Sequence, residues 1–312
     1  MKYYKVREKV AIRQAFGEAL IELAGRDKKI VAISADLGTS LTLDDFGAKY
    51  PDRYYNTGVA EQDMIGVAAG FALRGYKPFA GTFGSFLGRA MDHVRQSVCH
   101  NKLNVKIVGS HGGISNAQDG PSAHALEDFA MFRALPNMLV IMPSDPNQTI
   151  KAVEALVKHN GPAYLRLYRE PLPVFTTEET PFTIGKANIM REGCEVTVVA
   201  CGPHVGLALE IAKEINIDIE IIDSHSLNPI DSQTIIESAK KTKAVITVED
   251  HSVNGGLGSA VAEVLVENYP VPMERVGLHS FATTGSYEEV ANYVGIGRRD
   301  IIKAIRKVLQ RK

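Results

Sequence analysis

Short, nearly continuous apolar runs recur along the 312-residue chain, and stretches with helical spacing separate them. The runs at residues 30–33, 105–108, 138–141 and 164–167 are followed by a second set at 196–199, 219–222 and 244–248. A strand with one face in water alternates polar and apolar residues. A strand that is apolar throughout is covered on both faces, as in a parallel sheet between helical layers. Strands of that kind alternating with helices predict the α/β class. The rhythm breaks at residues 170–183, where Pro171, Pro173 and Pro181 sit among polar residues; such composition suits a long connection. The expectation is two doubly wound, mostly parallel-sheet domains, at residues 1–172 and 185–312, joined by a linker at 173–184.

One helical stretch departs from the usual two-faced pattern. Residues 57–75 are apolar almost all round, which predicts burial. Thr57 is the expected N-cap and Gly75 the expected stop. Gly66, Ala68, Ala69 and Gly70 leave room for a close backbone approach. Glu61 and Asp63 fall near the positive end of the helix, a common place for acids. At the mouth of a buried helix, however, a carboxyl is shielded from water and can share its proton with a ligand nitrogen.

Three further stretches carry candidate chemistry. Phe83 and Phe86 are three apart, which fits ordinary packing as well as an aromatic wall for a flat heterocycle. Residues 108–128 run from a strand into a glycine-rich loop bearing His111, Asp119 and His124; sites of α/β sheets gather at such strand ends. Arg169 lies at another strand exit, two residues past the apolar run, where a cation suits an anionic substrate. Residues 254–258 form a glycine-rich turn before a helix, but their spacing is not a dinucleotide fingerprint.

The sequence from Gly58 through Ala60, Glu61 and Gln62, the small-residue helix after it, and residues 75–83 resemble the pyrimidine-binding domain of transketolases. The resemblance extends over essentially the whole chain, so that residues beyond 185 are similar to the transketolase C-terminal domain. In that family the matching glutamate hydrogen-bonds the aminopyrimidine ring of thiamine diphosphate and favours its imino tautomer; the resemblance implies this role for Glu61. It further implies that Phe83, and Phe86 beside it, wall the ring, and that Asp36 lies near the cofactor at a subunit contact. Ser40 and Arg169 would bind substrate phosphate, His111 would face the phosphate end and act in catalysis, and Asp119 would bind a donor hydroxyl. Two positions depart from the family. Arg89 stands where transketolases often carry Tyr, and an Arg there is similar to the related deoxyxylulose-phosphate synthases. Ala123 occupies the place of the usual substrate histidine, with His124 one residue later.

Composition narrows the partners. A net charge of -1 gives no electrostatic reason to expect nucleic acid or an anionic membrane. No apolar run approaches the ~20 residues of a membrane span, and the polar N-terminus lacks an apolar signal core, so the cytoplasm is the expected location. Cys99, Cys194 and Cys201 are too sparse for a disulfide framework and are expected as reduced core residues. No Gly-Asp-Gly is present, the motif by which the family binds the cofactor's diphosphate through a divalent metal. The resemblance therefore implies that Mg²⁺ or Ca²⁺ is held by a separate diphosphate-binding transketolase subunit, in an α2β2 heterotetramer acting on sugar phosphates. Two other readings remain open: the beta subunit of a related enzyme (a 2-oxo-acid dehydrogenase or a deoxyxylulose-phosphate-type synthase), and a scaffold without catalysis.

Overall fold

The computed structural model describes residues 1–312. The strands are β1 Lys9–Ala11, β2 Ile30–Ser34, β3 Tyr54–Asn56, β4 Lys77–Phe83, β5 Lys106–Ser110, β6 Leu139–Ile141, β7 Ala163–Arg166, β8 Pro171–Pro173, β9 Asn188–Arg191, β10 Val196–Ala200, β11 Ile219–Asp223, β12 Ser226–Asn228, β13 Val245–Ser252 and β14 Met273–Leu278. A seven-stranded sheet has the order β12-β6-β7-β5-β4-β2-β3 and a five-stranded sheet the order β14-β13-β10-β11-β9. Every neighbouring pair within them is parallel except β12 with β6 and β9 with β11. The α/β, mostly parallel architecture is as expected. The central strands β2, β5, β7, β10 and β11 are buried at every residue, which is why their sequences are mostly apolar without alternation, with Lys106, Arg166, Glu220 and Asp223 as buried charged exceptions.

The two sheets are not independent. β12 follows β11 in the chain, yet it closes the edge of the first domain's sheet against β6. The connection at 170–183 is pinned rather than free. β8 pairs with β1, and the buried Asp145 carboxylate accepts from Phe175 N, Thr176 N and Thr176 Oγ1 at 2.7–2.9 Å while capping the helix Pro146–Lys158 through Gln148 N.

At the junction lies Arg166, the largest fully buried side chain of the protein. Its Nε sits 2.9 Å from Asp128 Oδ2, its Nη2 donates to Ala125 O and Asp250 O at 2.8 and 2.9 Å, and its guanidinium lies 4.2 Å from the Phe129 ring centroid. Tyr164 Oη donates to the same Asp128 oxygen at 2.5 Å. Gly109 makes this possible, since a Cβ there would lie 2.2 Å from Tyr164 Oη.

Three expectations are corrected. The helix after β3 spans Glu61–Leu73 with Ala60 at its cap position, while Thr57 instead donates from Oγ1 to Ser34 O at 3.3 Å; Gly75 does stop it, at a φ of 80°. That helix is buried on one side only. Gln62, Asp63, Gly66, Gly70 and Leu73 form an exposed stripe, and a Cβ added at Gly66 or Gly70 would meet nothing within 4 Å. Cys99 and Cys201 are buried as expected, but Cys194 is exposed. No helix is long and apolar enough to cross a membrane.

Replacing Arg166 by Met should cost about 3–5 kcal/mol, because the Asp128 carboxylate is then left buried without its counter-charge. Equilibrium chemical denaturation of the two proteins measures the difference.

Candidate active site

The parallel strands of the first domain end on one edge, and the polar side chains of interest leave from there. β4 ends at Phe83, β5 at Ser110 just before His111, and β7 three residues before Arg169. Glu61 is the first residue of the helix after β3 and only 3% exposed. Arg89 Nη1 faces its carboxylate at 3.4 Å from each oxygen, and the Arg89 guanidinium carbon lies over the Phe86 ring, 5.2 Å from its centroid. Phe86 and Phe83 are half-buried, with ring centroids 5.4 Å apart, and Phe83 stacks on the His111 ring at 3.9 Å. Glu61, Phe83, Phe86 and His111 thus form a continuous array of a shielded carboxylate, an aromatic wall and an imidazole.

His111 has its Nδ1 2.9 Å from Ser110 Oγ. Burial, and then the charges of Arg13 and Arg169, push its pKa down from 6.5 to about 3. Arg13 is drawn in from the helix Ile12–Arg26 and donates to Ser40 O at 2.8 Å. Burial, and the repulsion of Arg169, lower Arg13 from its ordinary value. Arg169 Nη1 lies 3.5 Å from Asp119 Oδ2. Two guanidiniums therefore act on a neutral imidazole, opposed by the carboxylates of Asp119, 43% exposed at its side chain, and of Glu170, which acts on Arg13. Like charges held together in this way favour an anionic ligand.

The remaining candidates stand differently. Ser40 joins the group through Arg13. Asp36 is exposed beyond β2, at a φ of 59°, and exchanges hydrogen bonds with Asn56 at 3.0 and 3.2 Å; it does not meet the aromatic wall. His124 is 3% exposed inside the glycine-rich loop. Burial lowers its pKa, opposed by the nearby Asn116 and Ala117 carbonyls, and neither ring nitrogen has a hydrogen-bond partner. The turn at 254–258 is closed to an external phosphate. The buried Glu249 carboxylate already occupies that helix N-terminus, accepting from Leu257 N and Gly258 N, both at 2.7 Å.

Sequence reasoning missed Arg13, which lies 98 positions before His111 with no motif around it, and it read Arg89 as a departure without seeing its contact with Glu61. The residues present fit the pyrimidine half of a thiamine cofactor: a buried carboxylate with one weakly held partner, beside a half-exposed aromatic wall. They do not offer a metal site, since no group of three His, Cys, Asp or Glu side chains is placed to hold an ion.

Comparison with known proteins bears on this arrangement. Residues 8–174 match the transketolase pyrimidine-binding domain family, and residues 185–301 match the transketolase C-terminal domain family. A 6-deoxy-6-sulfo-D-fructose transketolase subunit of Clostridium sp. (strain MSTE9) is 40% identical over 306 residues, covering 96% of this chain and 95% of its own. Human transketolase is 34% identical over 313 residues, and this chain spans 50% of its length. Among solved structures, a split gene transketolase described as an inactive beta4 tetramer superposes with a TM-score of 0.91 at 42% identity, covering 97% of this chain and 99% of that one.

Because the folded-state pKa of His111 lies below the 6.5 of a free imidazole, the unfolded chain takes up this proton first. Stability should fall as the pH drops from 6.5 towards 3. In the folded protein the His111 ring resonances should not titrate between pH 5 and 8, as histidine NMR spectra followed with pH would record.

Proposed function

This chain belongs to the transketolase family, and from that membership we propose that it is the pyrimidine-side subunit of a thiamine-diphosphate-dependent transketolase, active with a separate diphosphate-binding chain. The reaction is transfer of a two-carbon ketol unit from a ketose phosphate, or a ketose with a comparable anionic end, to an aldose acceptor. The observation that carries the reading is the array of buried Glu61, stacked Phe83 and Phe86, and neutral His111 next to the Arg13 and Arg169 guanidiniums. The relative that acts on 6-deoxy-6-sulfo-D-fructose supports an anionic sugar as substrate, with sulfonate as one alternative to phosphate.

When bound, thiamine diphosphate supplies the carbon nucleophile and electron sink that cleavage next to a ketose carbonyl needs. The chain's own residues do the rest. The Glu61 carboxyl holds a proton against a ring nitrogen in a place shielded from water, and Phe83 with Phe86 fixes the ring plane by stacking. Asp119 accepts from a donor hydroxyl. His111 stays neutral, so it offers a lone pair or an N–H to the sugar without adding a third positive charge to those of Arg13 and Arg169. Arg13 and Arg169 fix the far end of the sugar by its anion, which places the carbonyl carbon at the cofactor.

The partner is assigned from the family. Mg²⁺ or Ca²⁺ takes carboxylate and carbonyl oxygens, and these are assigned to a chain equivalent to the other half of full-length transketolase, in an α2β2 assembly. The exposed stripe of Gln62, Asp63, Gly66, Gly70 and Leu73, with exposed Val59 just before the helix, is the surface assigned to the contact between unlike chains, and Asp36 is assigned to the same contact. Inactivity of the beta4 form of a split gene transketolase supports the need for a second kind of chain.

Glu61→Gln in the assembled complex should keep assembly and lower turnover about 10²–10⁴-fold, the usual loss when positioned proton transfer is removed. Steady-state ketol transfer with a ketose phosphate, and with pyruvate as the donor that would mark a deoxyxylulose-type enzyme, is the measurement. Arg13→Met should raise KM for phosphorylated or sulfonated donors roughly 10–100-fold, the worth of a hydrogen bond to a charged group, and leave an uncharged ketose nearly unaffected. Comparison of charged and uncharged donors in one assay separates the two.

A further inference from the structure

Asp250 belongs to β13 of the second domain, yet its 1%-exposed carboxylate lies under the glycine-rich loop of the first. Both of its oxygens accept from Ile114 N, at 3.0 and 3.1 Å. Gly113, at a φ of 61°, lets it in, since a Cβ there would lie 2.1 Å from Asp250 Cγ. Next to this contact the loop closes at a neck, where Gly113 and Ala125 exchange backbone hydrogen bonds, both at 3.0 Å. The Ala125 carbonyl also accepts from Arg166 Nη2, and the same nitrogen donates to Asp250 O. Asp250 therefore grips one side of the neck through its carboxylate and the other through Arg166.

The neck matters because Asp119 hangs from it and His111 leads into it. His111 has a φ of 58°, a left-handed conformation that a non-glycine residue keeps only where its surroundings fix it. The contacts of its ring, with Ser110 Oγ and the Phe83 face, hold the side chain. The backbone beyond it is held by Gly112 N donating to Leu167 O at 2.9 Å, by the neck, and by Asp250.

We propose that Asp250 is a positioning residue of the active site: from the second domain it holds the His111–Asp119 loop in the shape that donor sugar requires, without touching sugar or cofactor. The inference rests on the ketol-transfer reading for its assay. It gives the second domain a part in turnover through the substrate loop, separate from its part in stability.

The test uses the assembled complex with Asp250→Asn, which keeps the size of the side chain but turns one acceptor towards Ile114 into an N–H donor. Donor KM should rise about tenfold or more, the smaller end of the loss for a charge-assisted bond, with thiamine diphosphate affinity and complex formation unchanged. The rise should shrink when Asp119→Asn is already present, because both changes then act on the same loop. In the unaltered complex, hydrogen exchange should show the Ile114 amide as protected as the β13 amides. A donor KM equal to that of the parent complex, a penalty that adds in full to that of Asp119→Asn, equal losses of cofactor affinity and donor binding, or a fast-exchanging Ile114 amide would each overturn the proposal. If the parent complex transfers no ketol unit, it is the functional reading that fails, and the exchange measurement still judges the clamp.

Discussion

A guanidinium without water is costly unless charge and hydrogen bonds surround it, and that requirement at Arg166 organises the molecule. The side chain leaves the middle of the first domain's sheet, finds its counter-charge on Asp128 at the end of the glycine-rich loop, and turns a second nitrogen to carbonyls of both domains. Moving either domain would strand a donor or a carboxylate. The junction is thus specified by polar geometry as well as by apolar contact, and the loop that carries His111 and Asp119 is built on it.

The parts of the fold that were legible in the sequence were those with the strongest physical signature. Central strands covered on both faces exclude most polar residues, so β2, β5, β10 and β11 announce themselves as apolar runs. β4 carries Pro78 and Gly81 and escaped notice as a strand. β3, β9 and β12 are three or four residues long and lie at sheet edges, where one side needs no apolar neighbour. The pairing of β12 with the other domain's sheet leaves no local trace at all. Likewise, an all-apolar helix declares that it will be covered without declaring by what. In this chain only half of Glu61–Leu73 is covered.

The site divides along the same line. Glu61, Phe83 and the loop from His111 to Asp119 sit in continuous stretches whose order along the chain is distinctive. Arg13 is one cation on an ordinary helix surface, and its meeting with Arg169 and His111 is wholly tertiary. Arg89 shows a different limit: the sequence marked the position as unusual, but its meaning required knowing that the next turn of chain aims the guanidinium at Glu61.

Under the proposed function, that last contact would leave a buried carboxylate ready for a ligand. Unpaired, the Glu61 charge would be unfavourable; tightly paired, it would be unavailable. Arg89 is 60% exposed at its side chain and 3.4 Å from a carboxylate that is only 4% exposed, so the guanidinium keeps its hydration while the carboxylate has given up most of its own. A ring nitrogen delivered along the Phe83 and Phe86 wall, as proposed above, would bring a directed hydrogen bond and apolar burial together. The guanidinium loses little when displaced, because it keeps its solvent and its stacking on Phe86. A partner chain closing over the exposed stripe would remove water from the same place and strengthen whichever contact Glu61 then makes.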